Sequence, residues 1–265
     1  MPPVPAFDLF APGAPQVLAL FGARVGGLVL VAPVFSAKSV PPMVRTGLIV
    51  LLTVLLHPIA MASLHAVPAL TPAAVLSETM VGFAIGLGAA ILVGAADTAG
   101  EFLAMQIGLS GAAILDPLSN QQGPALGLLM NMFTVALLLA LDAHLVMLDA
   151  LAASVREVPV GATLDVRAGL GAMVSSGTLL FSLGLRFAAP VIAAVLLGNV
   201  ALAVLSRAAP QLNILGIAFP VQIALGLFTL AASFPFMATW FTGWQNVYTS
   251  TLSHVMGALT LVPAR

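Results

Sequence analysis

The chain is 265 residues long, 61% hydrophobic and only 6% charged, against about 25% charged for an ordinary soluble domain. Eight Lys/Arg and nine Asp/Glu, for a net charge of −1, cannot cover a soluble protein of this length and offer no face to a polyanion, so a soluble fold and a nucleic-acid partner are both excluded. With no cysteine, disulfides and thiolate metal sites are excluded as well.

The chain opens Met-Pro-Pro-Val-Pro with Asp8 as its first charge; it lacks the basic n-region and cleavage site of a secretory signal peptide, so the first apolar run is expected to be retained. Apolar runs follow at roughly 17–35, 44–64, 73–96, 124–148, 168–206 and 212–241, and a spanning helix needs about 20 residues. The expectation is an all-α membrane protein of about six to eight apolar, partly broken helices. Arg24 interrupts the first run, Arg186 and Pro190 split the fifth, and Pro220 and Pro235 punctuate the sixth. Interior proline removes a backbone hydrogen bond, so the fifth and sixth runs read as helical pieces joined at breaks. Lys and Arg fall evenly on the two sides of six alternating spans, and the positive-inside rule sets no orientation. Either the topology is unusual, or the helices do not sit in lipid as independent spans. Gly82, Gly86 and Gly88 fall on neighbouring turns with Ala89 and Ala90, as tight helix packing requires.

The third run leads into a tract from Gly100-Glu101 through Gly108-Leu109-Ser110 to Asp116-Pro117. A polar stretch bearing Gly and Pro is tolerated at membrane depth only where protein buries it or water reaches it, which points to a pore or gate; the alternative is an ordinary interhelical loop. Gly108 and Gly111 permit constricting backbone geometries. Ile114 and Leu115 are suited to dewetting a constriction, and Asp116-Pro117 favours a helix boundary. Asp97 and Glu101, four apart, share a face of any continuous helix there and repel unless cations or water intervene. With Arg24, Arg45, Arg186 and Arg207 as candidate partners, they are either buried ion pairs that fix register or members of an ion pathway. Further on, Arg207-Ala-Ala-Pro210-Gln211-Leu-Asn213 reads as the turn of a helical hairpin or as a subunit contact. Met130-Asn131-Met132 reads as packing. No H-E-x-x-H, G-x-S-x-G or P-loop occurs, and His57, His65, His144 and His254 are scattered. No enzyme, cofactor or metal site is expected.

Taken together, Ser39-Val40-Pro41 with Arg45, Gly100-Glu101 followed by Gln106-x-Gly108-Leu109-Ser110 and Asp116-Pro117, and Arg207-Ala-Ala-Pro-Gln-Leu-Asn-Ile214 with Phe219-Pro220 resemble the FliR/SctT family. Its members are export-gate subunits of flagellar and virulence type III secretion systems, and the resemblance runs in order over about 17–245. It implies a non-enzymatic core subunit of a channel for unfolded polypeptides, in the bacterial inner membrane at the flagellar basal body. The partners implied are FliP-like, FliQ-like, FlhB-like and FlhA-like proteins, with membrane lipid. It further implies one FliR-like unit over residues 1–265, with a FliP-like part at about 1–180 and a FliQ-like hairpin at 181–265, largely held above the bilayer plane. The plug loop would then be Gly108, Leu109, Ser110, Gly111, Ala112, Ala113, Ile114, Leu115, Asp116 and Pro117. The charges acting in assembly would be Arg24, Asp97, Glu101, Arg186 and Arg207, and the breaks Pro190, Pro210, Gln211, Asn213 and Pro220. A secondary transporter of a small solute or ion, built on discontinuous helices, is the competing reading.

Overall fold

A computed structural model describes residues 12–37, 40–64, 66–109, 125–209, 211 and 214–260. These form helices α1 (Ala14–Val31), α2 (Pro33–Ser36), α3 (Pro42–Ala62), α4 (Pro72–Gln106), α5 (Ala125–Ala140), α6 (Ala143–Glu157), α7 (Val166–Ser176), α8 (Thr178–Ala208), α9 (Ile214–Phe241) and α10 (Trp244–Thr260). No strand occurs among the described residues. The helix starts follow local chemistry. Proline stands in the first turn of α1, α2 and α3, where its missing N–H costs nothing. Thr71 Oγ1 accepts from the Ala74 N–H at 3.1 Å ahead of α4, and Asp165 accepts from the Ala168 N–H at 2.9 Å to cap α7, each satisfying one orphan donor.

Five stretches are long and apolar enough to cross a membrane: Ala14–Val31, Pro42–Ala62, Pro72–Gln106, Val166–Ala208 and Gly216–Phe241. A sixth forms if α5 and α6, bent by 65°, count as one span. The bend sits at Asp142, a non-glycine residue with φ 55°; its small polar side chain makes that left-handed geometry less costly than a branched one would.

The helices divide between two compact units, neither continuous in sequence. The first comprises 1–90, 138–177 and 245–265. In it α1 packs on α3 and closely on α4: a Cβ on Gly82 would overlap the Arg24 carbonyl oxygen and lie 2.8 Å from the Leu28 nitrogen. Only hydrogen fits there, so the two backbones meet directly. Tyr248 of α10 seats against Gly88, and Leu259 against Gly169. Burial raises the Tyr248 phenol pKa and keeps it neutral.

The second unit comprises 91–137 and 178–244. Helices α8 and α9 form a hairpin closed at its open end by an aromatic cluster, in which the Phe187 ring lies 4.9 Å from Trp240 and 5.6 Å from Phe241. Prolines 190, 220 and 235 lie inside these continuous helices. The breaks expected at Pro190 and Pro220 are therefore absent, and the fifth run breaks at Gly177 instead. One missing bond does not end a helix that has intact turns on both sides and a partner packed along it.

Candidate functional site

Arg24, from the middle of α1, is wholly buried. A buried guanidinium persists only if every face is satisfied, and its surroundings do this. Nε donates to Glu78 Oε2 at 2.6 Å, Nη1 to Ser154 Oγ at 3.0 Å and Nη2 to the Val158 carbonyl at 2.9 Å. Glu78, 2% exposed, also accepts from the Gly161 N–H at 2.8 Å. The pair therefore ties α1 to α4 and reads the backbone of the turn after α6. Val158 ends α6, where carbonyls lack helical partners, and Arg24 caps one of them. Both members of this ion pair are buried, Arg24 wholly and Glu78 almost so. It corrects the expectation that Arg24 partners Asp97 or Glu101: its guanidinium is spent on Glu78, Ser154 and Val158, and Glu78 comes from the first turns of α4.

Farther along α4, Asp97 and Glu101 do share a face. Gly127 of α5 lies against it, with its Cβ position 3.1 Å from Asp97 Oδ1 and 3.9 Å from Glu101 Cγ. Between the two acids, Gly100 meets Gly127 backbone to backbone, since a Cβ there would stand 2.5 Å from the Gly127 Cα. The crossing is thus two glycines flanked by two carboxylates. Asp97 is half-buried and Glu101 exposed, so neither is the deeply buried charge expected of it. The helix also runs unbroken through Gly100-Glu101 and ends later, at Gln106, followed by Gly108, whose φ is +83°. That left-handed turn suits glycine. Of the expected plug loop, Gly108 is half-buried against Phe219 and Leu109 is exposed; residues 110–117 lie outside the described residues.

In the α8/α9 hairpin, Arg186 and Arg207 are exposed, and neither forms an ion pair with a described residue. Arg207 stands in the last turn of α8, where a cation complements the helix dipole. Gln211 is exposed; Pro210 and Asn213 lie outside the described residues. Midway along the hairpin, Gln222 Nε2 donates to Asn199 Oδ1 at 2.5 Å. This amide pair escaped sequence reasoning, although two amides in otherwise apolar helices are the available signal. Glu78 escaped it too, because an acid near a helix start reads as ordinary dipole complementation. Among the described residues no group of three or more His, Cys, Asp or Glu converges on a metal-sized site.

The arrangement is therefore one of packing and register, with apolar helix surface left over: Phe181, Leu197 and Val200 on α8 and Phe219, Phe228 and Phe236 on α9 are exposed. Residues 16–246 match the family described as bacterial export proteins, family 1. The chain is similar to the flagellar biosynthetic protein FliR of Escherichia coli (strain K12), 32% identical over 90% of this chain and 92% of that one. It is also similar to FliR of Bacillus subtilis (strain 168), 27% identical over 96% and 97%. The secretion system apparatus protein SsaT of Salmonella typhimurium is 30% identical over 61% and 63%. A family match over residues 16–246, together with a FliR relative 32% identical over 90% of the chain, makes this chain a member of the bacterial export proteins, family 1.

Proposed function

We propose that this protein is a core subunit of the flagellar type III export gate. Family membership makes it a component of a flagellar or type III export apparatus embedded in a membrane. The finer reading is that it assembles with FliP-like and FliQ-like subunits, beside FlhB-like and FlhA-like proteins, into the inner-membrane channel for unfolded substrates. The observation that carries it is similarity to FliR over 90% or more of both chains in more than one relative, against about three fifths for SsaT. The physics agrees: α8 and α9 leave large aromatic and aliphatic side chains uncovered, beyond what a self-sufficient monomer exposes to solvent. Arg186, Arg207 and Glu101, exposed in this chain, are then available to neighbouring subunits, and the segment from Gly108 to Pro117 is the closure element.

The test is deletion of the gene and complementation. A strain lacking the chain should lose export of flagellar substrates and regain it on complementation, and an affinity-tagged copy should co-purify FliP-like and FliQ-like subunits. Retained export in the deletion strain would refute the reading. Substrate-dependent proton movement in vesicles holding this chain alone, with no co-purifying subunits, would favour a transporter built around Asp97 and Glu101.

A further inference from the structure

Helix α10 differs from the other long helices among the described residues. Its inner face buries Trp244, Tyr248, Val255 and Leu259, but its exposed face carries Gln245, Asn246, Thr249, Ser250, Ser253 and His254. None of its large apolar side chains is exposed, whereas α8 and α9 expose many. Nor does the face carry charge: no Asp, Glu, Lys or Arg occurs between Arg207 and Arg265. A lipid-facing helix would be apolar, because the Gln245 and Asn246 amides find no partner in hydrocarbon. A surface facing open water carries about 25–35% charged residues. This face fits neither environment.

The hydroxyls narrow the choice. Thr249 Oγ1 donates to the Gln245 carbonyl at 2.8 Å, Ser250 Oγ to Val247 at 3.0 Å and Ser253 Oγ to Ser250 at 3.0 Å. With their donors engaged inside the helix, these side chains are poor at bridging to a neighbouring helix, the usual use of Ser and Thr between membrane helices. What remains is a small, neutral, hydrated wall. An unfolded polypeptide in transit presents both signs of charge and every size of apolar group, and passage requires that no step bind it strongly. Fixed charge would retain one sign, and exposed Leu or Phe would retain the rest.

We propose that the outer face of α10 lines the aqueous route of the exported polypeptide and acts as its low-adhesion wall. This rests on the export-gate reading and adds the surface that the substrate passes. Because the chain has no cysteine, Ser250→Cys and Ser253→Cys each create its sole thiol. Variants that restore export and co-purify with their partners are treated, as assembled complexes, with a charged maleimide, with and without a substrate stalled by a fused stable domain. The expected result is labelling that falls severalfold when the stalled substrate is present, while buried Val255→Cys stays unlabelled throughout. No labelling in an exporting complex means a partner covers the face, and the proposal fails. Labelling indifferent to the substrate means the face meets water elsewhere, and it fails equally. Should either serine variant not accumulate, Thr249→Cys and Gln245→Cys report the same face. Absence of any partner complex or export in the wild type would instead defeat the export-gate reading itself.

Discussion

Replacing Glu78 with Gln tests the Arg24 hub while preserving shape. Glu78 meets Arg24 through Oε2 and the Gly161 N–H through Oε1, so the single amide oxygen of the variant serves one of them and its NH2 faces the other. With the oxygen on Gly161, Arg24, fully buried, keeps only the neutral acceptors Ser154 Oγ and the Val158 carbonyl. Removing one partner of a buried pair costs about 3–5 kcal/mol; with the side-chain shape and two of the three Arg24 acceptors retained, the lower end applies, about 3 kcal/mol, or more than a hundredfold in the folded ratio. Arg24→Met costs about 4 kcal/mol, because it strands a carboxylate 2% exposed and uncaps Val158. The double variant has no stranded charge and should cost about 2–3 kcal/mol, well under the sum of the singles. The assay is unfolding of the assembled complex in mixed micelles, run as a double-mutant cycle. A Glu78→Gln penalty below about 1 kcal/mol, or additive singles, would refute the claim that charge pairing holds these segments together.

Two glycines of like sequence context should part company. Gly82→Ala must push a methyl onto the backbone of α1 and should destabilise by about 2–3 kcal/mol, whereas Gly26→Ala meets nothing within 4 Å and should stabilise by about 0.5–1 kcal/mol in the same unfolding assay. Gly100→Ala, set against the Gly127 backbone, should reduce the recovered complex to the level of a core defect, visible by size exclusion. Glu101→Lys, at an exposed position, should leave the chain's abundance intact while lowering co-purification of partners; normal assembly with altered proton coupling would move this residue to an ion pathway. Deleting residues 111–114 should raise passive ion leak in cells whose complex remains assembled; an assembled complex without added leak shows that this segment does not hold the channel shut.

Composition alone carried the fold class, because so few charges leave only a membrane or partner-covered helical array. The shared face of Asp97 and Glu101 was legible from their spacing, which a helix enforces. The partner of Arg24 was not: Glu78 lies 54 positions away, and no local pattern encodes which turns of two helices cross. The glycines of α4 announced close packing, but only coordinates pair Gly82 with Arg24 and Gly100 with Gly127. Proline misled for a simple reason. Its propensity to break helices is measured in water, whereas α8 and α9 pack against each other along lengths that outweigh one lost bond. Asn199 and Gln222 went unread as a pair because each, alone, is an unremarkable polar residue.

The first compact unit draws on residues 1–90, 138–177 and 245–265, and synthesis delivers these in that order. Arg24 and Glu78 therefore emerge as unmatched helices until Val158 and Gly161 arrive, and Gly88 and Gly169 wait longer for Tyr248 and Leu259. At ~5–20 residues per second, the interval between Val158 and Leu259 alone lasts roughly 5–20 s. Throughout it the bare Gly88 and Gly169 await a lid still on the ribosome. A chaperone, the insertion machinery or an early-binding subunit must shelter them, so loss of the last two dozen residues should strike at biogenesis before it touches transport.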